Sequence, residues 1–247
     1  MSAAMQPSMW CPGINLSHPL ANGLVGAWPM WEGDGDKVMD YSGNGNHGTL
    51  TFMDPETDWV ATEKGLAVEL DGSNDHVSVP SITFGRTYPF TISAWYRPAS
   101  STQAKCIVSI SDNTASDKQH AILHCVDGGA AGNKLSVMSR NTGWEDATST
   151  TAVVAGEWVH VVGVWRSATV REVWFNGVLE DTNTGSATAT SGANVLEIGR
   201  LGDATPNWQI AGSVGGVSVW GRGLSAGEIQ QLYADPYALY RKHGGLM

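Results

Sequence analysis

KCIVSISDNTASDKQHAILHCV, residues 105–126, is the stretch on which the fold turns. Two apolar runs, 105–111 and 120–126, flank the polar loop DNTASDKQ. Centring a hairpin on that loop sets Cys106 opposite Cys125, Val108 opposite Leu123 and Ile110 opposite Ala121. All three pairs are apolar and share one face, as the period of two along a strand requires. Lys105, Ser109, His120 and His124 fall on the other face, beside Ile107 and Ile122. Both cysteines are then interior, as two buried thiols or as a cross-strand disulfide.

The same texture recurs on both sides of the hairpin. GLVGAW (23–28), HGTLTF (47–52), LAVEL (66–70), HVSVP (76–80), FTISAWY (90–96) and KLSVMS (134–139) are each rich in β-branched or aromatic residues. So are EWVHVVGVW (157–165), REVWF (171–175), NVLEIG (194–199) and GGVSVW (215–220). Gly, Asn, Asp and Ser separate them, and no helices alternate with them, so the pattern predicts an antiparallel sandwich rather than a parallel sheet. The composition agrees, with 30 glycines for turns and 11 tryptophans for pleated faces. One helix is predicted, in LSAGEIQQLYADP (224–236). There Ser225 and Glu228 form an S-x-x-E capping box, and Ile229, Leu232 and Tyr233 make an apolar stripe. The chain divides into a Pro-punctuated extended arm (1–22), a β domain (23–234) and a tail (235–247).

At 247 residues the chain is long enough to bury a core without staples. Its net charge of −10 and lack of a basic cluster argue against nucleic acid. No run of eighteen apolar residues predicts a membrane span. The N-terminal MSAAMQPSMWCPG has neither a basic start nor an apolar core, so it does not read as a secretory signal. The expectation is a protein made in a cytoplasm and not exported by that route.

Taken in order, these segments resemble the laminin-G-like (concanavalin A-like) jelly roll, two antiparallel sheets curved over one another. The stretch 23–50 resembles the opening strand and Gly-Asn loop of that family. LDGSNDHVSVP, FTISAWYRP, EWVHVVGVW with VWFNGVLE, and GGVSVWGRGLSAGEIQQLY resemble its later strands and closing helix. NHGTL, MDPETDWV and LYADPYALYR also resemble laminin-G-like proteins encoded in tailed-phage genomes.

The resemblance implies a calcium site in the loop DYSGNGNHGTL (40–50), with Asp40, Asn44 and Asn46 as ligands. The alternative is a structural turn, in which glycines 43, 45 and 48 supply positive φ and the polar side chains bond to nearby backbone. Related sequences carry an acidic pair on the closing strand, where this chain reads Val214-Gly215-Gly216-Val217. No cofactor is therefore required. Catalysis is not expected either. Glu32, Asp34 and Asp36 are interleaved with glycines in a turn too loose to hold an acid and a nucleophile, and VHVVGVW contains no acid. His160 reads as a structural histidine, and Trp95, Trp158, Trp165 and Trp174 as packing residues.

Sugar sites combine exposed aromatics with polar side chains, and the predicted loop RNTGWEDATST (140–150) has that composition. Its candidates are Arg140, Asn141, Trp144, Glu145 and Asp146, with Trp144 as an edge-capping residue in the alternative reading. Met5, Met9 and Trp10 in the arm, and Tyr237, Tyr240 and Arg241 in the tail, are expected to anchor the domain on other subunits or on a second copy. Together these readings point to a non-enzymatic phage virion protein, a capsid decoration or appendage subunit with its domain facing outward and able to bind host glycans. A free lectin is the alternative, and a β-glucanase comes third.

Overall fold

The computed structural model describes residues 13–85, 87–125, 133–141, 143–187 and 192–240. Among them, sixteen strands form two antiparallel sheets of eight. The first, here the helix-side sheet, runs β14 (Val178–Asn183), β13 (Arg171–Phe175), β12 (Val159–Trp165), β7 (Phe90–Pro98), β16 (Ala211–Trp220), β5 (Gly65–Asp71) and β4 (Trp59–Thr62). Its eighth strand, β1 (Leu24–Trp28), also pairs with β16. The second, the hairpin-side sheet, runs β11 (Gly143–Thr148), β10 (Lys134–Asn141), β9 (Lys118–Cys125), β8 (Lys105–Ser111), β15 (Val195–Ile198), β6 (His76–Pro80), β3 (Gly48–Thr51) and β2 (Lys37–Val38). This is the expected all-β jelly-roll sandwich.

Alternation along β7 shows how the layers form. Phe90, Ile92, Ala94 and Tyr96 point into the core between the sheets, where they meet Val108, Ile110, Ile122, Val137 and Val161. Phe90 stacks on Trp165 with centroids 4.7 Å apart and planes within 12°. Each such side chain contributes about 1.5–3 kcal/mol through removal from water. Thr91, Ser93 and Trp95 occupy the opposite face of the same strand, and they are buried too. The helix-side sheet must therefore be covered on its outer side as well.

Three pieces of chain supply that cover. Helix α1 (Ala226–Ala234) lays Ile229 and Leu232 on Val162, Val164, Trp174 and Trp220. Its N-terminus carries the predicted capping box, with Ser225 and Glu228 each bonding to the other's backbone. Residues 13–22 and 235–240 complete the cover, contributing Leu20, Tyr237, Leu239 and Tyr240. The Trp220 indole donates to Leu20 O at 2.7 Å, and Asn15 N donates to Leu239 O at 2.9 Å. Packing thus continues across the expected boundaries at 22/23 and 234/235. Met5, Met9, Trp10 and Arg241 lie outside the described residues.

Two expectations need correction. The hairpin register is not the symmetric one: Cys106 faces Leu123, a bulge follows, and then Val108 faces Ile122 and Ile110 faces His120. Cys125 pairs with Lys134 of β10 instead. The strands extend into the polar loop, pairing Ser111 with Gln119, and the extra residue lets both Ile107 and Val108 reach the core. Residues 143–148, expected as loop, are strand β11 at the sheet edge. Its run of polar residues hid it, and a similar polarity hid β14.

Leu20→Ala should lower stability by about 2–4 kcal/mol in urea denaturation, the cost of a buried leucine cavity. An unchanged midpoint would show that residues 13–22 are not part of the folded unit.

Candidate functional site

The residues expected to bind sugar sit at one end of the β10–β11 hairpin, divided between its two faces. Arg140, Trp144 and Asp146 share the outer face: Arg140 pairs in register with Trp144, and the Trp144 Nε1 donates to Asp146 Oδ1 at 3.1 Å. Trp144 lies 5.7 Å from Trp208 and packs beside the small cluster of Cys106, Leu123, Met138 and Leu201. Arg140 is paired with Asp117 at 2.8 Å. Glu145 points the other way, toward the buried Arg171 at 3.8 Å. Asn141 lies at the turn, paired with Gly143. These five residues do not converge on one point, because alternation sends Glu145 to the side opposite its neighbours. Trp144 reads here as the cap of its own edge.

The glycine-rich loop is a knot of hydrogen bonds. Asp40 Oδ1 accepts from the N–H groups of Ala27 and Ser42, and its Oδ2 accepts from the Ser42 hydroxyl and Asn46 N–H, all at 2.9 Å. The amide nitrogens of Asn44 and Asn46 donate to carbonyls of β1, and Trp28 Nε1 donates to Asn46 O. Calcium needs six to eight oxygens turned inward, whereas N–H groups are turned inward here. The donor set does not fit the ion. Gly43 and Gly45 have the positive φ expected of them, at 88° and 75°. Gly48 is needed for another reason: a Cβ there would lie 2.7 Å from Val77 Cγ1.

The expected tail anchors are interior. Tyr237 and Tyr240 are 8% and 4% exposed, with rings 6.0 and 4.6 Å from that of Trp31. Tyr237 donates its hydroxyl to Lys64 O at 2.5 Å. Their rings pack within this chain because the outer face of the helix-side sheet needs them as cover.

Where that cover stops, a groove of about 480 Å³ opens. Strand β16 changes partner along its length: Ala211–Val214 pair with β5, and Val217–Trp220 pair with β1. Gly215 and Gly216 fall at the change, bulged opposite Trp95, between the pairs Val214–Tyr96 and Val217–Ala94. A Cβ on Gly215 would touch Trp95 Cβ at 3.4 Å and the Trp158 ring at 3.6 Å. The missing side chain at Gly215 therefore keeps the space beside the Trp158 ring open. Trp95, Trp158 and Tyr233 line the groove, and the two-residue β4–β5 turn, Glu63-Lys64, stands at its rim. The ring planes of Trp95, His160 and Tyr233 lie within 26° of one another, with centroids 5.0–6.2 Å apart.

Ser93 and His160 also line the groove, with Ser93 Oγ 2.8 Å from His160 Nε2. A serine beside an imidazole invites comparison with a nucleophilic pair, but the electrostatics oppose it. Burial, reinforced by the Lys64 charge, depresses the His160 pKa to about 3, far from the near-neutral value that suits a general base. Its Nδ1 has no hydrogen-bond partner, so no carboxylate orients the ring. Of the glucanase candidates, Asp34 and Asp36 are exposed on a turn, and burial raises the pKa of Glu32. The groove combines ring faces with a few polar groups, the kind of lining that suits small organic ligands.

Sequence alternation could have located it. In FTISAWY and VHVVGVW, Ser93, Trp95 and His160 fall on the face opposite the core residues, and an outward-facing tryptophan needs cover or a ligand. Trp158 and Tyr233 gave no comparable signal, since only the packed helix brings them to the same place.

This lectin-like fold agrees with the comparisons. Residues 71–230 match the Concanavalin A-like lectin/glucanases superfamily, and the chain belongs to it. No curated protein sequence matches. Among solved structures, domain 4 of AbnA, a GH43 extracellular arabinanase from Geobacillus stearothermophilus in complex with arabinotriose, aligns at TM-score 0.68 and 18% identity, covering 85% of this chain and 98% of that one. The binding domain of Paraclostridial Mosquitocidal Protein 1 aligns at TM-score 0.65 and 14% identity, covering 89% of this chain and 53% of that one. The binding domain of Botulinum Neurotoxin DC, in complex with SialylT, aligns at 0.61 and 15%, covering 87% and 52%. The chain thus spans nearly all of the arabinanase domain but about half of each toxin chain. At these identities the likeness establishes the fold.

Two outcomes follow from the electrostatics. Asp40→Ala should cost about 3 kcal/mol, since several bonds to a charged acceptor are lost, and millimolar calcium should not alter the melting temperature of either protein. Calcium-dependent stabilisation of the parent protein would contradict the knot reading. Burial also depresses His120, His124 and His160 to about 3, 4 and 3. These histidines protonate near 6.5 when unfolded, so stability should be full above that pH and fall steadily as pH drops toward 4. Unfolding should take up protons in that window, measured calorimetrically, with His76 adding to the uptake and the raised carboxyls of Glu32, Asp75 and Glu197 opposing it.

Proposed function

We propose that this protein is a non-catalytic glycan-binding module and that the groove beneath α1 is its binding site. One observation carries the reading: two indoles and three tyrosines line a groove of about 480 Å³ that also presents polar side chains. Pockets of about 300–1,000 Å³ with mostly apolar walls and a few directional polar groups suit small organic ligands. Ring faces of this kind suit the apolar faces of pyranose or furanose sugars. Family membership and the sugars named with two similar structures support the choice of ligand.

A second role is as an outward-facing phage virion subunit. It is supported by the phage-like sequence stretches and by the meeting of both ends of the described chain, where Asn15 bonds to Leu239. Removal of residues 1–12 should leave the melting temperature unchanged and reduce incorporation into particles. A cut at residue 20 would not test this, because it strips Leu20 from the fold. Full incorporation of the shortened chain would end the tether idea.

Trp158→Ala should weaken oligosaccharide binding at least roughly tenfold, as expected when a buried aromatic anchor is lost, while Trp144→Ala should bind as the parent does. Titration calorimetry against arabino- and galacto-oligosaccharides provides the comparison. The reverse pattern would return the site to the β10–β11 hairpin.

A further inference from the structure

The charged groups around the groove narrow the ligand class, on the understanding that the groove binds glycans. Lys64 is exposed at the tip of the β4–β5 turn, yet its ammonium is held 4.5 Å above the centroid of Trp95, at the groove wall. The backbone of the same residue is fixed, because its carbonyl accepts the Tyr237 hydroxyl. No carboxylate among the described residues lies within ion-pair distance of Lys64 Nζ, although Glu63 is its neighbour in the turn. On the other indole, the Arg97 guanidinium lies 5.5 Å from the Trp158 centroid. Arg97 is committed to Ser213 and sits 3.8 Å from Glu69, so it is largely balanced. Lys64 is not balanced.

His160 stays neutral near pH 7 and so adds no competing cation. A chain with a net charge of −10 therefore places an ammonium without an ion-pair partner among the described residues at the rim of one aromatic groove. An ammonium resting on a ring face has a weak hold there, and a carboxylate forms a stronger, charge-assisted bond with it.

We infer that the groove selects acidic glycans, with the ring faces holding the sugar and Lys64 pairing with a carboxylate on it. Glu63 also lines the groove and opposes anions there, so the preference rests on the Lys64 ammonium at the Trp95 face. Lys64 is a specificity residue, and it supplies preference rather than the bulk of the contact.

The test compares charged and neutral trisaccharides on the full chain: tri-galacturonate with galactotriose, and sialyllactose with galactosyllactose, by titration calorimetry at low and high salt. The acidic member of a pair should bind about tenfold more tightly, its advantage should shrink with salt, and Lys64→Gln should bring the ratio toward one while Lys64→Arg keeps it. Lys64 is exposed, so these variants should fold, and circular dichroism melting checks that they do. Binding that depends on Trp158 but shows no acid preference would overturn this inference and leave the glycan reading standing. Absence of binding by all four probes would overturn both.

Discussion

Strand β7 must be buried on both faces, and much of the molecule follows from that constraint. Phe90, Ile92, Ala94 and Tyr96 are satisfied by the facing sheet. Thr91, Ser93 and Trp95 need a second cover, because each sheet of a two-sheet sandwich is covered by its partner on one face only. Helix α1, residues 13–22 and residues 235–240 are that cover, so elements remote in sequence meet there. Trp220 bonds to Leu20 across 200 positions. The groove lies at the limit of the cover, where β16 exchanges one partner strand for another and glycines replace side chains.

This arrangement also accounts for the groove's chemistry. A wall of the sheet contributes rings set by strand geometry, the helix contributes Tyr233, and the β4–β5 turn brings a single ammonium to the rim. Rings fixed by packing are already ordered before a ligand arrives, so little entropy is lost on binding. The same burial lowers the His160 pKa to about 3, which makes the imidazole of the Ser93–His160 pair a poor base near neutral pH.

The fold was largely legible in the sequence. Period-two apolar segments, Gly-rich turns and the Ser225–Glu228 box specify strands, connections and a helix by local physics. Register was less so, since a bulge at Ile107 is invisible to a rule that assumes strict pairing. The site was the least legible part. Arg140, Trp144 and Glu145 have the composition of a sugar-binding loop, but a strand divides them between two faces. Asp40, Asn44 and Asn46 have the composition of a cation loop, but their bonds are used to tie that loop to β1. The groove residues are spread over 211 positions, from Pro29 to Tyr240, and composition carries no record of their meeting.

The central claim is that ligand binding takes place on the outer face of the helix-side sheet. Indole ¹H–¹⁵N resonances, assigned by single substitution and followed while an oligosaccharide is added, test it most directly. The account predicts shifts confined to Trp158 and Trp95, with Trp144 and Trp208 silent. Shifts at Trp144 and Trp208 with a quiet Trp158 would contradict it.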